Sequence, residues 1–165
     1  MRYLPKLLLA FLLVLALIPA CEVENCPPNA LAYAVFVMKD GTGADVEFSD
    51  ELSVIGIMVL EDGEEVVDTL VNEEEDVSTL SLALSYSNVT KFVLVYADDA
   101  GTDTITITHR NIPYYFNVDC GTMMYYEVED LQTTYYQIDS VVIVNPNIDN
   151  YETENFYIYY PPVDE

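Results

Sequence analysis

The chain has 165 residues, enough for one domain that buries roughly two-thirds of the surface its unfolded form exposes. Lys and Arg number 5 against 29 Asp and Glu, a formal net charge of −24, which repels phosphate backbones and anionic headgroups and excludes nucleic-acid binding. With 52% hydrophobic residues the chain is too apolar for a disordered acidic tail.

In chain order, the first feature is a leader. Arg2 and Lys6 open it, residues 7–18 (LLLAFLLVLALI) carry no charge, and Pro19, Ala20 and Cys21 follow. That is the layout of a secretory signal. Twelve apolar residues fall short of the roughly 20 that span a bilayer as a helix. Ile18-Pro19-Ala20-Cys21 resembles the lipobox of bacterial lipoproteins, with Pro19 as its one departure. The resemblance implies cleavage before Cys21 and acylation (palmitate) of its sulfur and new amino group. Several acyl chains matter, because each buried CH₂ contributes about 0.8 kcal/mol and one chain alone holds only marginally. The expected organisation is a lipoprotein signal peptide over residues 1–20, a lipidated tether over 21–29 and a domain over 30–165. The mature chain would keep three bases against 29 acids.

The cysteines are Cys21, Cys26 and Cys120. Lipidation of Cys21 leaves a pair, and an exported pair tends to close. A Cys26–Cys120 bridge closes a long loop, worth roughly 4–5 kcal/mol in the chain-entropy model. Free thiols are the rival; a zinc site lacks the usual ligand spacing.

Beyond Pro27-Pro28, β-branched and aromatic runs are separated every eight to twelve residues by turn residues, the spacing of a sandwich or barrel. Strands are expected over residues 31–38, 52–60, 66–71, 77–84, 91–97, 102–109, 123–128, 133–138, 141–144 and 156–160. Gly56 interrupts the second of these, which implies a bulge or a close contact. Residues 61–65 turn one hairpin and 98–101 another; 72–76 (NEEED) is an exposed link. In 102–109, Ile105 and Ile107 share one face, with Thr104, Thr106 and Thr108 on the other. No helical stripe is present. The fold expected is all-β, a single sandwich of Greek-key, immunoglobulin-like character.

Chemistry-bearing motifs are sparse. His109 is the only histidine and is expected to be structural. No nucleophile elbow, glycine-rich phosphate loop or HExxH occurs. A carboxylate pair for glycoside hydrolysis needs one acid with a raised pKa in a cleft. Calcium is the better use of the acids: Asp98, Asp99 and Asp103 bracket one glycine turn, and Glu61, Asp62, Glu64 and Glu65 another. A solvated acidic turn is the plain alternative. The 14 tyrosines include pairs at Tyr114-Tyr115, Tyr125-Tyr126, Tyr135-Tyr136 and Tyr159-Tyr160. Strand neighbours point to opposite faces, so one of each pair can fill core while the other faces out, as sheet cover or as a contact surface. Asp68-Thr69-Leu70, Asp103-Thr104-Ile105 and Asp139-Ser140-Val141 resemble an O-glycosylation acceptor of some Bacteroidota.

Cys21-Glu22 with Cys26 behind it, residues 103–108 (DTITIT), Asp119-Cys120-Gly121 and the aromatic run 156–160 (FYIYY) together resemble an uncharacterised family of small Bacteroidota envelope lipoproteins. The resemblance implies a lipidated, all-β protein and supplies no activity or catalytic residue. The function expected is that of a non-enzymatic binding or scaffolding lipoprotein at the outer membrane, periplasmic or surface-facing. Its partners would be the membrane, through the lipid, and an envelope protein or glycan, with no nucleic acid and no cofactor. The alternatives are a carbohydrate- or calcium-dependent binding module and a small acid-dependent hydrolase.

Overall fold

The computed structural model describes Cys26 and residues 31–60, 62–97 and 101–161. The leader, Cys21 and the rest of the tether lie outside that range. Among the described residues there are ten strands and no helix: β1 (Tyr33–Lys39), β2 (Leu52–Val59), β3 (Glu65–Glu74), β4 (Thr79–Ala83), β5 (Val89–Tyr96), β6 (Thr102–Asn117), β7 (Gly121–Thr133), β8 (Ser140–Ile143), β9 (Asn147–Ile148) and β10 (Glu154–Tyr159).

They form two packed sheets, a β-sandwich, with orders β4-β1-β10-β8 and β3-β2-β5-β6-β7-β9. The chain leaves β3 at the edge of the larger sheet, crosses to the smaller one as β4, and returns as β5 beside β2. That is the Greek-key crossover. The smaller sheet has its own order: β1 lies between antiparallel β4 and parallel β10 rather than beside β2. Residues 34–38 of β1 are buried on both faces, which fits a continuous apolar run in an inner strand.

Phe36 of β1 stacks on Phe156 of β10 at 4.5 Å and meets Phe92 of β5 edge-on at 5.8 Å, so the three rings tie sheet to sheet. Buried Asn155 is a bulge opposite β1. Its Oδ1 accepts from the Val35 amide at 3.0 Å and its Nδ2 donates to the Asn145 and Asn147 carbonyls. The exposed edge strand β3 carries Glu65, Asp68, Glu73 and Glu74, and charge on an edge discourages pairing with another chain. Gly56 makes the close contact: a Cβ there would stand 2.9 Å from Leu70 Cδ1. The bulge on this strand falls earlier, between Leu52 and Ile55.

Several features differ from the expected elements: β3 runs on to Glu74 through the first part of the expected 72–76 link, and the short β9 is additional. The run at 133–138 is not a strand: β7 ends at Thr133, and residues 134–138 fold as a loop onto a buried carboxylate, that of Asp103. The β6–β7 hairpin is also much longer than expected. The strand expected over 102–109 runs on to Asn117, and Pro113, which has no amide hydrogen to donate, still takes its place in the ladder opposite Met124. Its turn is built by Asn117, whose Oδ1 accepts from the amides of Asp119 and Cys120.

Candidate functional site

At one end of the sandwich the last residues of β1, β5 and β10 meet the loop before β2. They enclose a cleft of about 890 Å³. Phe48, Tyr96 and Tyr160 form its aromatic wall, with ring centroids 5.2 to 6.5 Å apart. Asp40, Glu47 and Asp50 supply acids at its mouth.

Local sequence builds each part. Asp40 ends β1 as an Asx turn: its Oδ1 accepts from the Thr42 amide and hydroxyl and from the Ala44 amide. The Thr42 hydroxyl bond leads in holding the Asp40 carboxyl below the usual carboxylate range. Lys39 pairs with Asp45 and lies over the Tyr157 ring at 4.4 Å. A single bridge to Val77, with backbone bonds of 2.8 and 3.1 Å, sets Phe48 over the two tyrosines. Tyr160 is 8% exposed, and burial pushes its hydroxyl pKa up to about 12. Tyr160 Oη lies beside the Tyr96 hydroxyl and in the field of Asp103. Burial likewise raises the Tyr96 hydroxyl, which donates to Asp103 at 3.2 Å.

Asp103 is fully buried behind this wall. Its Oδ1 accepts from the Thr134 hydroxyl (2.8 Å) and the Tyr136 amide (2.7 Å). Its Oδ2 accepts from the amides of Gln137 (2.7 Å) and Ile138 (3.0 Å) and from Tyr96 Oη. Burial alone would raise its pKa; the three amides and Thr134 outweigh it and hold the carboxyl below its ordinary range. Asp103, with both oxygens taken by protein donors, is an internal anchor for the 134–138 loop. Asp98, Asp99 and Glu61 lie outside the described residues. In the other acidic turn Asp62 accepts from the Glu64 amide and Glu65 reaches Lys91 at 3.4 Å. Among the described residues no three His, Cys, Asp or Glu stand close enough to hold a metal ion.

His109 lies on β6 about 20 Å along the strand from Asp103, counting six rises of about 3.3 Å. It is buried edge-on against Tyr126 at 5.1 Å. Asn111 Nδ2 donates to the Tyr86 carbonyl at 2.6 Å, which turns Asn111 Oδ1 toward His109 Nδ1 at 2.8 Å. Nδ1 then carries the proton, and Nε2 accepts from the Thr90 hydroxyl at 2.8 Å. Burial lowers the His109 pKa. The ring is a satisfied core group, remote from the cleft.

Tyr126 and Tyr160 fill core while Tyr125 and Tyr159 are partly open, as strand alternation requires. Tyr114 with Tyr115 and Tyr135 with Tyr136 are exposed in both members. The first pair sits on the far hairpin and the second on the Asp103-anchored loop. Cys26 and Cys120 are joined, with Cα atoms 5.4 Å apart across a separation of 94 residues. The bridge lies at the β6–β7 turn, the end of the molecule opposite the cleft. The wall residue Phe48 carried no signal in the sequence, and Tyr160 was marked only as half of an aromatic pair; they meet only through the fold.

A model of a family of unknown function, DUF6452, matches residues 51–160, two-thirds of the chain. The chain belongs to that family. The part matched as DUF6452 takes in β2 to β10, and with them Phe92, Asp103, Cys120 and Tyr160. No curated protein and no solved structure matches the chain.

Proposed function

We propose that this DUF6452 protein is a lipoprotein of the bacterial envelope, held to the outer membrane by acyl chains on Cys21. Its sandwich acts as a non-enzymatic binding body. The observation that supports this most is the position of the Cys26–Cys120 bridge, which ties the start of the domain to the end farthest from the cleft. β6 alone runs up to about 50 Å between those ends, at about 3.3 Å per residue. A body moored at one end and open at the other offers its cleft to a partner in the envelope rather than to its own membrane. The aromatic wall and acidic mouth suit a ligand with an apolar group and a cationic or hydroxyl head, from an envelope protein or a glycan. The Asp40 carboxyl, held low rather than high, is a poor general acid.

Two measurements test the reading. Intact mass of the mature N-terminus should show an acylated Cys21, and Cys21→Ala should leave the membrane fraction; an unmodified residue there ends the anchor reading. A photocrosslinking residue at position 48 in intact cells should capture a partner that the same residue at exposed position 67 does not. Equal capture at the two positions would end the cleft reading.

A further inference from the structure

The far hairpin is poor in acids and rich in exposed aromatic residues. The 165 residues hold 29 acids, about one in six, so a stretch of sixteen would ordinarily carry two or three. Residues 111–126 (NIPYYFNVDCGTMMYY) carry one, Asp119, and no base. The Arg110–Glu127 ion pair across the hairpin marks where charge resumes. Beyond that pair the ladder narrows to two strands: β5 pairs no further than Thr108, β9 reaches only Tyr126 and Glu127, and residues 112–117 pair with 121–125 alone.

This projecting ribbon is aromatic on its surface. Tyr114 stacks on Tyr125 at 4.9 Å and meets Phe116 at 6.3 Å. Tyr115 is 61% exposed, and Val118 at the turn is 88% exposed. Exposed tyrosine and phenylalanine with few acids are the composition of a protein surface at the membrane–water interface, where a ring can sit among acyl chains and keep its hydroxyl wet. The strongly acidic body is repelled by anionic headgroups, so a seat on a bilayer has to be a segment nearly free of acids.

The covalent path sets where this ribbon lies. Five residue steps separate Cys21 from Cys26, at most about 18 Å of chain. Cys26 is bonded to Cys120 in the hairpin turn. An acylated Cys21 therefore holds the turn within a short reach of the lipid surface, whatever path the tether takes. We infer that the tip of the β6–β7 hairpin is a membrane seat, in which Tyr114, Tyr115, Phe116 and Val118 settle into the headgroup region of the bilayer that holds Cys21. The seat rests on the lipid-anchor reading and adds a second contact, which would stand the sandwich upright with its cleft outward.

The chain has no tryptophan, so one introduced at the tip is a clean reporter. The full lipidated protein carrying Tyr115→Trp is reconstituted in phosphatidylethanolamine–phosphatidylglycerol vesicles, with and without bromine on the upper acyl chains. Val118→Trp repeats the test at the turn, and Tyr135→Trp reports from exposed surface at the cleft end. The seat predicts at least twofold loss of emission in brominated vesicles for the two tip reporters, and none for Tyr135→Trp. Flotation separates the two ideas. Protein that does not float with vesicles overturns the anchor reading and the seat with it. Protein that floats, with tip reporters quenched no more than Tyr135→Trp, overturns the seat alone. Blue-shifted tip emission without bromine quenching would put a second copy or another protein there, and overturns it too.

Discussion

Asp103 shows how one side chain can hold an element. Each of its oxygens accepts at least two donors, so the neutral isostere cannot serve: in Asp103→Asn an amide NH₂ would face N–H groups already pointing inward. Stranded buried donors cost about 1–3 kcal/mol each, and the variant should lose roughly 3 kcal/mol of stability. At this size that is a fall of about 10 °C in Tm, readable by calorimetry. A melt within 2 °C of the parent would mean that the 134–138 loop is held by something else. Gly101 packs beside this anchor with φ +93°, and a Cβ there would stand 2.3 Å from the Tyr136 ring. Gly101→Ala should therefore destabilise in the same direction. His109 adds a pH dependence. Its folded pKa is depressed below the ordinary 6.5 by burial, so the unfolded chain binds the proton first. Its stabilising share is complete above pH 6.5 and is lost as pH falls from there through the folded pKa. Denaturation midpoints should decline from pH 7 toward about 5, and His109→Gln should flatten that decline while lowering the midpoint at pH 8. An unchanged slope in the variant would assign the decline to other groups.

At the scale of elements, the clearest expectation concerns the bridge. A closed loop of this length removes unfolded-state entropy worth about 4 kcal/mol, so reduced protein should unfold at markedly lower urea than oxidised protein. The bridge also clamps a two-stranded ribbon, a form that is marginal alone in water. Chymotrypsin should therefore cut near Tyr115 and Phe116 faster after reduction, with cleavage sites read by mass spectrometry. Equal rates would mean that ladder bonds alone hold the tip. The strands were largely legible because alternation and β-branching are local signals. Asp103 and His109 share the parity of the Ile105–Ile107 face and are buried with it, although the acidic neighbours of Asp103 suggest a calcium turn instead. What escaped notice was non-local. Residues 133–138 read as a strand because their threonines, tyrosines and isoleucine suit one, yet backbone amides bonded to Asp103 cannot join a ladder. Likewise the β6–β7 turn is marked only by Asn117 and Gly121, and Pro113, a residue that usually interrupts a strand, stands inside β6. The cleft was illegible because Phe48, Tyr96 and Tyr160 come from three distant segments, and the Tyr159-Tyr160 pair says nothing of which residues it will face.

At the scale of the molecule, charge is the variable that no single contact controls. With 29 acids and 5 bases, most acids have no cation to pair with, and they repel one another across a body whose interior is apolar. Folding brings those acids closer together, so screening should favour the folded state. Raising sodium chloride from about 0.01 M to 0.15 M shortens the Debye length from about 30 Å to 8 Å, and Tm should climb by several degrees. Calcium chloride at matched ionic strength discriminates between two origins of that climb. Screening predicts the same rise for both salts, because Asp103 has no free oxygen to offer an ion. An additional rise that saturates below about 1 mM calcium would instead demand a built site of six to eight oxygens, drawing on acids such as Asp98 and Asp99 outside the described residues. The same repulsion bears on the hairpin tip. If the tip is the one seat, salt should raise stability in solution yet leave bromine quenching at position 115 nearly unchanged, because that contact is apolar and holds almost no charge to screen.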